Sequence, residues 1–128
     1  MSTLIAKSGP QIFSVYQIVI DNHLSDLINK EGWDCHVKAL AYKEAMFGNV
    51  VIGMKHDCYT KVAEIVADDL DHVFEVGNIG PEDRITRFEK MTSISVGNII
   101  EDENGSRFAV ADVGFTPLAP SLQQKEMA

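Results

Sequence analysis

Four side chains in the middle of the chain, Cys35, His36, His56 and Cys58, are of the types that hold a transition metal. Two thiolates and two imidazoles suit tetrahedral zinc, but ligand pairs in such sites are usually separated by about two to four residues. Cys35 and His36 are adjacent and cannot easily grip one ion together, and His56 and Cys58 have a single residue between them. The expectation is free thiols, histidines in ordinary roles, and no metal or other cofactor. A cysteine nucleophile with a histidine base needs a thiol at a helix start or in electropositive surroundings. Nothing in the sequence marks either thiol in that way.

Carboxylates are plentiful. Asp68-Asp69 and Glu82-Asp83 stand where helix starts want acids, and Glu101-Asp102-Glu103 flanks a turn. Each group therefore has a structural reason to exist without general acid–base catalysis. Gly77-Asn78-Ile79-Gly80 lacks the lysine and the spacing of a phosphate-binding loop. These readings point to a protein that is not an enzyme.

Two groups of side chains remain as binding candidates. Arg84 and Arg87, placed one helical turn apart, could grip a small anionic ligand, with Ser93 and Ser95 close behind in sequence. The plainer alternative is a solvated face with Arg87 paired to Asp83. Asp69, Asp71 and Glu75 share one expected helix and could form an acidic docking face for a protein partner. Here the plainer alternative is an acidic surface that favours the positive end of the helix dipole.

Charge decides between classes of partner. The net charge is −8, and residues 61–128 hold six Lys/Arg against thirteen Asp/Glu. A nucleic-acid backbone demands a basic face, so no nucleic acid is expected as partner. The longest apolar runs, such as Ile18-Val19-Ile20, span a few residues, whereas a membrane helix needs about 20. Met1 to Pro10 has no apolar signal core, and two cysteines make no disulfide scaffold. No membrane association and a cytoplasmic location are expected.

The elements that must position these residues follow from periodicity. Ile12 to Ile20 is β-branched and aromatic, and reads as a strand. Asp21 caps a helix carrying Leu24, Leu27 and Ile28 that Gly32 ends. Asp34 caps a second helix that ends at Gly48, and Asn49 to Met54 is an irregular crossing or a short edge strand. Tyr59 to Val66 alternates as a strand. Asp68 caps the next helix, whose apolar positions are Leu70, Val73 and Phe74, with Phe74 in the core, and which stops at Gly77. Gly80-Pro81-Glu82-Asp83 opens a short helix burying Ile85 and Phe88. Ser93 to Glu101 is a strand, and Asn104-Gly105 is a two-residue hairpin turn that sets Asp102 opposite Arg107 and Glu101 opposite Phe108. Arg107 to Val113 returns, with an edge segment from Phe115 to Leu118.

This order predicts an α+β fold: helices packed on a mixed or antiparallel sheet that ends in a C-terminal hairpin. The 128 residues fit a single domain, with a loose arm over residues 1–10 and a frayed tail over 119–128.

Between about Tyr59 and Leu118 several short motifs stand together. They are Asp68-Asp69-Leu70, Phe74-Glu75-Val76-Gly77-Asn78, Gly80-Pro81-Glu82-Asp83-Arg84, Met91-x-Ser93-x-Ser95-Val96-Gly97-x-Ile99 and Gly114-Phe115. The segment resembles a group of small proteins encoded by bacteriophages and other mobile elements, a group with no assigned activity. In that group an aspartate usually follows Val-Gly, where this chain has Asn98. The resemblance implies expression in a bacterial host cytoplasm. The expected function is then a non-enzymatic accessory protein that binds and modulates a host protein, or self-assembles as a homo-oligomer. A small anionic-ligand binder is the alternative.

Overall fold

The computed structural model describes residues 10–118; the expected loose arm up to residue 9 and the tail from 119 lie outside the described residues. Strand β1 (Gln11–Gln17) lies inside a six-stranded antiparallel sheet of order β3-β2-β1-β4-β5-β6. Its alternation sets the two faces: Phe13, Val15 and Gln17 point into the core, while Ile12, Ser14 and Tyr16 point away. On one side β1 pairs with β2 (Thr60–Ala67), and on the other with β4 (Ile99–Glu101). A bulge opposite Val15 and Tyr16 leaves consecutive Val62 and Ala63 both buried. β3 (Ile85–Arg87) extends the sheet beyond β2, and β5 (Arg107–Val110) and β6 (Phe115–Pro117) extend it beyond β4. Among the described residues four helices join these strands, α1 (Asn22–Glu31), α2 (Val37–Met46), α3 (Val51–Lys55) and α4 (Leu70–Ile79). The fold is α+β, as expected.

Helix α4 covers the inner face. Val73 and Val76 are fully buried against Phe13, Val15, Ile65, Ile94, Ile100 and Val110. Helices α2 and α3 close the far end through Ile18, Ala41, Ala45 and Cys58, with Ile52 and Tyr59 beside them. Val50 and Met54 also cover Ile99 and Ala109 on the opposite face.

Several local expectations are corrected. The first strand ends at Gln17 rather than Ile20. Asp21 does cap α1, its Oδ1 accepting the Leu24 N–H at 2.8 Å. Asp34 does not cap α2: it sits in a 3-10 turn (Trp33–Cys35), and His36 Nδ1 accepts the Lys38 N–H instead. Asn49 to Met54 is neither irregular nor extended, because Asn49 Oδ1 accepts the Val51 N–H and starts α3. The cap of α4 is Asp69, not Asp68. That helix runs through Gly77 to Ile79. The side of Gly77 that lacks a side chain faces Ile94.

Phe74 and Phe88 are not core residues; they are 39% and 50% exposed. On α4 the buried positions are Val73 and Val76, which turns Phe74 outward. Phe88 lies beyond a strand rather than on a helix. Pro81 and the acids behind it start only a 3-10 turn (Glu82–Arg84), after which Ile85–Arg87 pairs with Ala63–Ile65. Edge pairing of two β-branched residues overrides the local helix signal.

The strand expected from Ser93 shrinks to Ile99–Glu101. Before it, amide side chains take the place of a ladder. Asn78 brackets Ile94, accepting its N–H and donating to its carbonyl. Asn98 Oδ1 accepts from Ser95 N–H and from Gln17 Nε2.

The hairpin register also differs by one residue. Glu101 faces Arg107 and Ile100 faces Phe108. The turn has three residues, because Asp102 N–H donates to Ser106 O and Gly105 N–H to Asp102 O. Gly105 alone of the Asn104-Gly105 pair takes a positive φ, 87°. This is a type I turn with a glycine bulge, not the primed turn of the two-residue hairpin.

Candidate docking groove

The inner face of the sheet reaches further than α4 covers. Phe108 lies opposite Pro117, and Phe115 opposite Val110, so all three groove residues from β5 and β6 share the face against which Val110 is buried. Beyond the start of α4 they form the floor of an open groove of 380 Å³. Leu70 completes the floor, and Asp69 and Asp71 form the rim.

The rim acids are held by the helix that they begin. Asp69 Oδ1 accepts the His72 N–H at 2.9 Å. Asp71 is exposed in the first turn, where the helix dipole favours a carboxylate. The Asp68 N–H donates to His72 Nδ1 at 3.0 Å. No lysine or arginine lines the groove among the described residues. An apolar floor beneath unpaired negative charge can hold a group that is itself apolar along one side and cationic at its end, as arginine and lysine side chains are.

Of the three acids expected to dock a partner, the structure brings Asp69 and Asp71 to the groove. Glu75 is exposed one turn further along α4 and does not line it. Sequence reasoning placed Leu70 only as an apolar position of the helix and gave no site role to it or to Phe108, Phe115 and Pro117. The available signals were Asp68-Asp69-Leu70 and Gly114-Phe115, both singled out in the resemblance but without a role.

The expected anion-binding set is dispersed. Arg84 and Arg87 do not share a helix. Arg84 Nη1 reaches the Val66 carbonyl at 3.5 Å. Arg87 is engaged by Glu82 through two bonds of 2.8 and 3.0 Å, replacing the expected Asp83 pairing. That bidentate pair holds the Glu82 carboxyl below the usual carboxylate range and pushes Arg87 up. Ser93 is exposed, and Ser95 borders a 40 Å³ cavity beside Asn98 and Gln17.

Cys35 is partly exposed at the end of its 3-10 turn, and His36 is occupied as a helix cap. Cys58 is buried with its Sγ 3.8 Å from the His56 carbonyl, and burial pushes its thiol up. Among the described residues no three His, Cys, Asp or Glu side chains are grouped to hold a metal ion. No described helix is long and apolar enough to cross a membrane.

No family model matches the chain, and no curated protein or solved structure matches it.

Asn98 stands where the resemblance expects aspartate. Both of its side-chain bonds are accepted by Oδ1, from Ser95 and Gln17. A carboxylate could accept the same two donors, so a structural role suffices for either residue at this position.

Proposed function

We propose that this protein is a non-enzymatic binding module whose groove at the start of α4 takes a basic, partly apolar segment of another protein. The observation that carries this reading is the joining of Asp69 and Asp71 to a floor of Leu70, Phe108, Phe115 and Pro117. Charge complementarity selects a partner segment with arginine or lysine beside an aliphatic or aromatic residue. A net charge of −8 adds longer-range attraction for the same class of partner. The resemblance to phage and mobile-element proteins supplies the setting: a host-cell protein as target, met in a bacterial cytoplasm.

The test is an amide-resolved NMR titration with two short peptides, one pairing arginines with leucine and phenylalanine, the other carrying glutamates in their place. The basic peptide should shift amides at residues 69–71, 108 and 115, and the acidic peptide should leave them unmoved. Shifts confined to other surfaces, or equal responses to both peptides, would remove the groove as the docking site.

A further inference from the structure

A second cavity, of 160 Å³, opens at the far end of β1, away from the groove. Ile18 and Ile20, which pack with Tyr42, give it an aliphatic wall, while Val19 between them packs into the core beneath α4. Tyr42, Lys90 and Thr92 give it a polar one, and no carboxylate lines it.

The polar wall is built rather than incidental. The Tyr42 ring stacks on Trp33 with 5.7 Å between centroids and an interplanar angle of 2°. Thr92 is clamped by Gln17, a side chain only 3% exposed. Gln17 Oε1 accepts the Thr92 N–H at 3.1 Å, and Gln17 Nε2 donates to the Thr92 carbonyl at 3.0 Å. A buried amide satisfied in this way fixes the loop that carries Lys90 and Thr92 against β1.

Lys90, in the loop after β3, differs from the cations on the sheet. Lys61, Arg87 and Arg107 each pair with a glutamate. Lys90 makes neither an ion pair nor a hydrogen bond among the described residues. The Tyr42 hydroxyl likewise donates to no described acceptor. In a chain with thirteen acids in its second half, an ammonium left without a carboxylate at the edge of an aliphatic cavity is ready for an external one.

We propose that this cavity binds a small apolar monocarboxylate, branched-chain or single-ring, with its carboxylate on Lys90 and the Tyr42 hydroxyl and its hydrocarbon against Ile18 and Ile20. A single cation with an aliphatic wall matches one negative charge and disfavours phosphate or a dicarboxylate, whose further charge would be desolvated without a partner. The volume excludes nucleotides and other large ligands. This site is independent of the groove and stands or falls separately. It also moves the anionic-ligand possibility from Arg84 and Arg87 to a place where the cation is free.

The experiment is an amide-resolved titration with isovalerate and with benzoate, alongside isovaleramide and inorganic phosphate. One or both carboxylates should give saturable shifts at residues 18–20, 42 and 90–92, and isovaleramide and phosphate should give none there. Lys90→Met keeps the side-chain length at an exposed position and should weaken binding about tenfold or more, since a charge-assisted bond is lost. Tyr42→Phe keeps the stack on Trp33 and should weaken binding less. Absence of saturable shifts at these residues, equal binding of isovaleramide, or undiminished binding by Lys90→Met would each overturn the proposal.

Discussion

Gln17 and Asn98 meet across 81 residues of sequence, the Gln17 Nε2 donating to Asn98 Oδ1 at 3.1 Å. That contact joins the last residue of β1 to the loop that precedes β4. Gln17 is buried and all of its polar capacity is used within this loop, on Thr92, Ser93 and Asn98. Replacing Gln17 by leucine leaves the Thr92 N–H and carbonyl without their protein partner, and should cost about 1–2 kcal/mol. Asn98→Asp keeps the acceptor and should cost little, whereas Asn98→Leu should approach the Gln17 loss. Urea unfolding of the three variants checks the order. An Asn98→Asp variant as unstable as Asn98→Leu would show that the acceptor is not what matters there.

Gly97 takes a φ of 90°, and a Cβ built on it would overlap the Ala45 carbonyl. The Ala45 carbonyl is backbone and cannot swing aside. Gly97→Ala should therefore destabilise by about 3 kcal/mol or more, combining a strained φ with a clash. Thermal unfolding measures this, and a variant within about 1 kcal/mol of the parent would mean that the loop and α2 separate readily.

The hairpin separates two neighbours that the sequence treats alike. Gly105→Val should cost about 1–2 kcal/mol, because only position 105 requires positive φ. Asn104→Ala should be nearly neutral. Asp102→Ala should cost about 1 kcal/mol, since Asp102 Oδ1 accepts the N–H groups of both Asn104 and Ser106. Equal losses at 104 and 105 would restore the two-residue turn.

Alkaline stability should reflect two tyrosines. Burial raises the phenols of Tyr59 and Tyr16 above the usual 10.0, and the hydrogen bond and charge of Glu101 raise Tyr16 further. A folded pKa above the unfolded one gives stability that is fully present below pH 10.0 and is lost as pH rises beyond it. The Tyr59 hydroxyl donates to the Gly97 carbonyl, so Tyr59→Phe should cost about 1 kcal/mol near neutral pH and flatten the alkaline decline. A decline equally steep in Tyr59→Phe would place its cause elsewhere.

What the sequence made legible was local and periodic. The alternation of Phe13 and Val15, the Asp21 cap and the strand through Ile65 all obey short-range rules. Adjacent Asp68 and Asp69 offered two caps for one helix, and only backbone geometry chooses between them. The helix signal at Gly80-Pro81-Glu82-Asp83 was sound locally but lost to pairing of Ile85–Arg87 with β2. The acidic half of the groove was readable from the charge around Asp69 and Asp71. Its aromatic half was not, because Phe108 and Phe115 reach those acids only through the order of strands in the sheet.

Docking of a basic segment is tested most directly by one substitution at the rim, Asp71→Lys. Asp71 is exposed and caps nothing, so reversal should remove no more than about 1 kcal/mol of dipole stabilisation and leave the fold intact. The measurement is the fluorescence anisotropy of a labelled arginine-leucine-phenylalanine peptide, titrated with parent and variant at low and physiological salt. The parent should bind more weakly as salt rises. The variant should bind at least about tenfold more weakly at low salt, with little remaining salt dependence. Equal affinity and equal salt dependence in the two proteins would contradict docking at the groove.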